Sequence, residues 1–306
     1  MQRPRRKTIL SEKLTKGGMD ITIIKNYQAD AALRSSFNAL AEATFGLSFE
    51  SWYRLGYWGG NYTPYSALEE GKIVANVSVN RTDMVIGGQR KRLYQLGTVM
   101  TYPEYRNRGY IRAIMAEVEK DIADADGVYL FANDSVLDFY PKFGFREDRE
   151  FVYSRAAEQS GDCVMEQIPM DVPENRDRLA AAMAASTFPT GCTMVDNPGL
   201  IFFYAAQFMQ ENVYFWEEEN AWVIAEAEDG AMMIHNVFAA EDISLDAVIA
   251  AFGGEITEVT LGFAPADKTG WTCRELKEED TTFFTRGDAF RDFAEKQLRI
   301  PSLAHA

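Results

Sequence analysis

A two-lobed α/β fold is what the sequence predicts, and three stretches predict it. The apolar run Leu93 to Thr101, with its Val, Thr and Tyr content, suits a buried strand. It turns through Pro103 into Tyr110 to Asp121, where Ile111, Ile114, Met115 and Val118 share one helical face. A second strand, Val128 to Ala132, leads through Asn133 into the aromatic stretch Phe139-Tyr140-Pro141-Lys142-Phe143-Gly144-Phe145. The third is a faint repeat of the same order. Ile234 to Ala239 can be laid on Leu96 to Thr101, Leu245 to Phe252 takes the place of the helix, and Val259 to Ala264 is placed like the second strand.

The junction between the first strand and its helix carries the chemistry. Arg106-Asn107-Arg108-Gly109 stands where the first backbone N–H groups of a helix have no internal partner and carry the positive end of its dipole. An anion, above all a pyrophosphate, is stabilised there. Gly109 lets the backbone approach closely, and Arg106 and Arg108 add charge.

Composition bounds the rest. A chain of 306 residues suggests two domains, and 47% hydrophobic residues suffice for sizeable cores. No apolar run reaches the ~18 residues that span a bilayer, which argues against a membrane segment. The net charge of -15 argues against nucleic acid or an anionic membrane as partner and is compatible with a cationic acceptor. Cys163, Cys192 and Cys273 are odd in number and lack metal spacing, so buried free thiols in a reducing, cytoplasmic compartment are expected. With 2 His residues no metal site is expected.

In chain order, residues 1–19 form a basic tail expected to be disordered, without the apolar core of a secretory signal. The fold is expected to begin with a strand from Asp20 to Ile24 and a helix from Ala29 to Ala43 that buries Leu33, Phe37, Leu40 and Ala41. An aromatic segment follows, with Phe45, Phe49, Trp52, Tyr53, Tyr57, Trp58, Tyr62 and Tyr65 among Gly56, Gly59 and Gly60. Core packing is the default for each ring singly. Their density also fits the lining of an amine site, where ring faces suit a cation or an apolar acceptor. Tyr65–Leu68, Ile73–Asn80 and the region around Gly87-Gly88 up to Leu93 read as consecutive antiparallel strands. In the second of these Asn76, Ser78 and Asn80 alternate with the apolar set, as on a partly solvated face; Asn76 and Ser78 could instead contact an acceptor.

The stretch from Arg106 to Ile111 resembles motif A of the GNAT acetyltransferases, Arg/Gln-x-x-Gly-x-Gly/Ala, with Ile111 in the last place. Asn133 and Phe139 to Phe145 resemble motif B. The wording of Trp52-Tyr53, Pro64-Tyr65-Ser66, Thr98 to Arg106 and Leu130 to Asn133 is similar to a bacterial branch near the enhanced-intracellular-survival-type acetyltransferases. The resemblance covers the N-terminal half and implies a GNAT acyl-CoA N-acyltransferase fold over residues 20–155, a mixed, mostly antiparallel sheet flanked by helices. It also implies acetyl-CoA as cosubstrate, held by Val99, Met100, Thr101, Arg106, Asn107, Arg108, Gly109, Tyr110, Ile111, Arg112 and Asn133. Tyr140 stands where the family places the general acid that protonates the leaving thiolate; its alternative is a packed aromatic beside Phe139. The acceptor implied is a primary amine of a small molecule or peptide. No residue is marked as general base.

Residues 156–306 read as a second, degenerate GNAT-like lobe. Between its strand and its helix stands Ala240-Glu241-Asp242-Ile243-Ser244, which has no Arg or Gly, and two carboxylates would repel a pyrophosphate. Ser244 or Asp242 is expected to cap the helix, and His235 to be a packed residue rather than a base. Two other functions fit the same residues, a non-catalytic acyl-CoA sensor and a transferase of a longer acyl group. A homo-oligomer is compatible with the sequence.

Overall fold

The computed structural model describes residues 10–16, 19–157 and 161–305. The first half supplies β1 (Leu10–Lys16), β2 (Met19–Lys25), α1 (Ala31–Phe45), α2 (Glu50–Arg54), β3 (Tyr62–Glu69), β4 (Lys72–Arg81), β5 (Met84–Ile86), β6 (Gln89–Lys91), β7 (Leu93–Thr101), α3 (Tyr110–Asp121), β8 (Gly127–Ala132), β9 (Arg146–Glu147) and β10 (Phe151–Ala156). The second half supplies β11 (Glu166–Gln167), α4 (Pro173–Ala185), β12 (Cys192–Met194), α5 (Pro198–Ala205), β13 (Val213–Trp216), β14 (Ala221–Glu228), β15 (Ala231–Phe238), α6 (Leu245–Ala250), β16 (Glu258–Leu261), β17 (Thr272–Glu275) and β18 (Thr282–Arg286).

Two mixed sheets carry the two lobes. Their strand orders are β1-β2-β3-β4-β7-β8-β18-β9 and β11-β13-β14-β15-β16-β10-β17. β7 and β8 are parallel and joined through α3; β15 and β16 are parallel and joined through α6, so the repeat read in the sequence is a repeat in space. The boundary expected at residue 155 does not divide the sheets. β10 leaves the first lobe and lies between β16 and β17, antiparallel to both, while β18 returns to lie between β8 and β9. Each lobe lends a strand to the other.

Local chemistry explains the helices. Asp30 caps α1 by accepting from the N–H groups of Ala32 and Leu33, and Gly46 ends it in the left-handed conformation. Phe37, Leu40 and Ala41 form its buried face. On α3, Ala113, Ile114, Met115 and Val118 are buried against Val74, Val128 and Leu130 on one face of the first sheet. The other face, with Ile73, Met100 and Tyr129, joins α1 and the second lobe in one core.

Several expectations are corrected. Residues 10–16 of the expected tail form β1, whose antiparallel hairpin with β2 covers what would otherwise be an open sheet edge; residues 1–9 lie outside the described residues. β5 and β6 do not extend the first sheet but pair with β12 of the second half in a small separate sheet. Core packing, the default for each ring, holds for most of the aromatic segment, and that core joins the two lobes. Phe49 stacks on Phe203 at 5.3 Å, Tyr57 on Phe202 at 4.1 Å, and Trp52 Nε1 donates to Gly199 O at 2.7 Å. Asn76 and Ser78 are fully buried rather than partly solvated. All three cysteines are free, but only Cys192 is buried and Cys163 is exposed. Among the described residues no helix is long and apolar enough to cross a membrane.

Candidate active site

The first sheet splits where its two parallel strands end. β7 and β8 are paired only over Leu93 to Gln95 and Gly127 to Tyr129, yet β7 continues to Thr101 and β8 to Ala132. Beyond the last pair the strands part, and a cleft of about 750 Å³ opens between them. Val99, Met100 and Thr101 wall it from β7, Arg106, Asn107 and Gly109 from the turn, Tyr110, Ile111 and Arg112 from the start of α3, and Asn133 and Tyr140 from beyond β8. Every site residue read from the sequence lines this one cleft except Arg108. Its guanidinium lies over the Tyr105 ring, 5.1 Å from the centroid.

The turn is shaped for an anion. Asn107 and Gly109 are both left-handed, with φ of 62° and 86°, which bends the backbone into a concave run of N–H groups. No side chain caps α3 at Gly109. A Cβ at Gly109 would meet nothing within 4 Å, so the space over the turn is open. An uncapped helix start, a left-handed turn and exposed Arg106 fit the pyrophosphate that the sequence reading placed here. The Tyr110 ring is buried, and its hydroxyl donates to Glu69 at 2.9 Å.

Tyr140 begins the turn that follows Phe139 and is nearly buried, packed edge-on to Phe139 at 5.3 Å and against Phe284 at 5.8 Å. Burial pushes its pKa up to about 12, so the phenol keeps its proton across the ordinary pH range. Phe284 belongs to β18, and the neighbouring Arg286 clamps the same turn. It donates to Phe143 O at 2.8 Å and to both carboxylate oxygens of Glu119 on α3, at 2.9 and 3.0 Å. A strand from the second half of the chain thus holds the first lobe's site.

The sequence reading missed other parts. Thr44 and the exposed Phe45, at the end of α1, line the cleft, as do Ser135, Val136 and Lys142. Asn133 is tethered rather than free. Its Nδ2 donates to Asp280 Oδ2 at 2.8 Å, and Asp134 N donates to Asp280 Oδ1 at 2.6 Å. Nothing local to residues 133 or 280 announces that pairing.

On the other face of β8, beside Phe131, lies a second cavity of about 740 Å³, walled by the two connections that exchange strands. Carboxylates predominate there, including Glu147, Asp148, Glu275 and Glu278. Glu150, nearly fully buried in its wall, accepts from Ile300 N at 2.7 Å; burial raises its pKa to about 8 against the opposing pull of Arg299.

In the second lobe the parallel strands are bridged directly after their last pair, and the cavity beyond, about 320 Å³, is walled by Asn236, Val237, Phe238, Phe263 and Pro301. Gly262 N donates to Ile234 O at 2.7 Å, Ser302 N donates to Gly262 O at 2.7 Å, and Ser302 Oγ meets His235 Nδ1 at 2.8 Å. Only glycine permits this filling, because a Cβ at residue 262 would stand 2.3 Å from Ser302 Oγ. Ser244 caps α6 through Ala247 N at 3.1 Å, and His235 is packed as expected, its side chain 12% exposed.

A mixed sheet that splits beside a basic, uncapped helix start defines the class of α/β protein to which the chain belongs. Residues 31–147 match the family model described as an acetyltransferase (GNAT) domain. No curated protein matches it in sequence. Among solved structures, a probable N-acyltransferase from Enterococcus faecalis is similar with a TM-score of 0.61 at 16% identity, over 95% of this chain and 75% of that one. Eis1 from Mycobacterium abscessus is similar with a TM-score of 0.54 at 17% identity, over 83% and 71%. A GNAT acetyltransferase from Kribbella flavida gives 0.53 at 15% identity, over 83% and 69%. The likeness in fold extends over both lobes.

Proposed function

We propose that the chain is an N-acetyltransferase that moves an acetyl group from acetyl-CoA to a primary amine of a small molecule or peptide. The observation that carries this reading is the gathering of the Arg106–Arg112 turn, the free end of β7, and Asn133 and Tyr140 from beyond β8 in one cleft. The turn from Arg106 to Arg112 holds the pyrophosphate, and backbone groups of Val99 to Thr101 receive the pantetheine and the thioester carbonyl. The amine nitrogen attacks the carbonyl carbon, the new C–N bond forms, and the C–S bond breaks with the electron pair leaving on sulfur. Tyr140 is the general acid at the departing thiolate. The proton lost by the amine balances the one gained by sulfur. The acceptor arrives on the Phe131 face of β8, where the carboxylates around Glu150 favour a cation. Only the first lobe takes acetyl-CoA.

The test is thiol release from acetyl-CoA in the presence of a panel of primary amines, with CoA affinity measured by calorimetry. Turnover that depends on both substrates supports the reading. CoA binding without turnover on any amine would make the chain a sensor, and absent CoA binding would remove the reading altogether.

A further inference from the structure

The face of the first sheet that packs on α1 buries a closed hydrogen-bond network, and Asn76 on β4 is its hub. Its Oδ1 accepts from Ser66 Oγ at 2.8 Å, and its Nδ2 donates to Ser78 Oγ at 2.9 Å and to the backbone carbonyl of Thr98 at 3.0 Å. Thr98 Oγ1 donates to Ser78 Oγ at 2.6 Å, and Tyr27 and Tyr62 close the two ends, 2.6 Å from Ser66 Oγ and 2.8 Å from Thr98 Oγ1. Asn76, Ser66 and Ser78 are fully buried. Apolar side chains of the same volume would cost less in such a place, so the network calls for a reason beyond stability.

That reason lies in the register of β4 against β7. Asn76 pairs with Met100 and Ser78 with Gly97, so Val77 alone faces two residues, Thr98 and Val99. This is a β-bulge, and the strand ladder passes over the Thr98 carbonyl. Thr98 has φ of 41°, left-handed backbone that a β-branched residue holds only when its surroundings impose it. Asn76 imposes it by supplying the carbonyl's missing donor. The next two residues, Val99 and Met100, are those that wall the cleft.

We infer that Asn76 is a positioning residue, which fixes the Thr98–Val99 bulge and so aims the backbone of Val99 and Met100 at the thioester. The inference rests on the acetyltransferase reading but is tested apart from it. In Asn76→Ala, kcat falls about 10–100-fold, less than the loss of an oxyanion donor itself. The Kd for CoA, set at the distant Arg106–Gly109 turn, stays within about twofold. The infrared carbonyl band of bound acetyl-CoA, labelled with carbon-13 in the thioester, moves back towards its position in free solution. Tyr27→Phe, at the remote end of the network, lowers the melting temperature and leaves both the band and kcat near wild type. Should Asn76→Ala not fold, Asn76→Leu carries the same test, because it keeps the side-chain volume and removes the donor to Thr98 O. An unmoved band with wild-type kcat in a folded variant overturns the inference. If the wild type binds acetyl-CoA without turning it over, the acetyltransferase reading fails while the band comparison still decides the role of Asn76.

Discussion

Asn133 and Asp280 stand 147 residues apart in sequence and are joined by a hydrogen bond of 2.8 Å. Asp280 accepts from the Asp134 backbone as well, so one carboxylate of the second half sets the loop that walls the cleft beyond β8. Asp280→Ala should loosen that loop without disturbing the core, because both partners are exposed. Discounting charge-assisted bonds for solvent leaves about 1 kcal/mol, or roughly a fivefold rise in KM for acetyl-CoA. Steady-state kinetics check this, and an unchanged KM would make the tether incidental.

Gly109 tests the turn through its backbone. With φ of 86° and open space where a Cβ would stand, a substitution there costs conformation rather than contact. Gly109→Val should weaken CoA binding about tenfold, the equivalent of the ~1–2 kcal/mol that left-handed backbone costs a substituted residue. Gly109→Asn should weaken it less, since Asn tolerates that conformation. Calorimetry distinguishes the two; equal losses would point to crowding of the ligand instead.

Tyr140→Phe keeps the packing against Phe139 and Phe284 and removes only the hydroxyl, so the melting temperature should change little. A phenol held at about 12 gives its proton to a thiolate of reference pKa ~8.5 only reluctantly. Its contribution is therefore placed at the low end of the usual range for a positioned acid, a fall in kcat of about 10²-fold, with the Kd for acetyl-CoA unchanged. Full kcat in the variant would return Tyr140 to the core.

Stability should fall as the solution is acidified, and one histidine should account for much of the fall. His305 stacks on Phe131 at 3.9 Å, with its Nε2 sealed from solvent, and burial pulls its pKa down to about 3. The unfolded chain takes up a proton near pH 6.5 while the folded chain does not, so stability is full above that pH and drains away below it. At pH 5 the loss attributable to this ring is about 2 kcal/mol. Melting curves at neutral and acid pH should show a shallower dependence in His305→Gln than in wild type.

The sequence announced whatever depended on neighbours in the chain. β7 and α3 occupy the residues their periodicity marked, because a buried strand and an amphipathic helix are written in consecutive side chains. The cleft was legible for the same reason, its turn and helix start lying within one strand–helix–strand unit and Tyr140 in the connection that directly follows it. What was hidden depended on distance. Phe151 to Ala156 alternates as well for one sheet as for the other, so nothing local said that β10 would pair with β16. The same holds for the β5–β12 pairing and for Asp280. Asn76 and Ser78 read as half-solvated because alternation cannot separate a wet face from a buried polar network.

The strand exchange has a consequence for synthesis. Chains are made in order, and β18 emerges after every other strand of both sheets. Until residues 282–286 leave the ribosome, β8 and β9 have no strand between them, and Arg286 is not there to clamp Tyr140's turn. The region of residues 31–147 that matches the GNAT model is therefore finished last, although nearly all of it is made first. A nascent chain stalled between residue 147 and β18 carries a complete motif and an unassembled site.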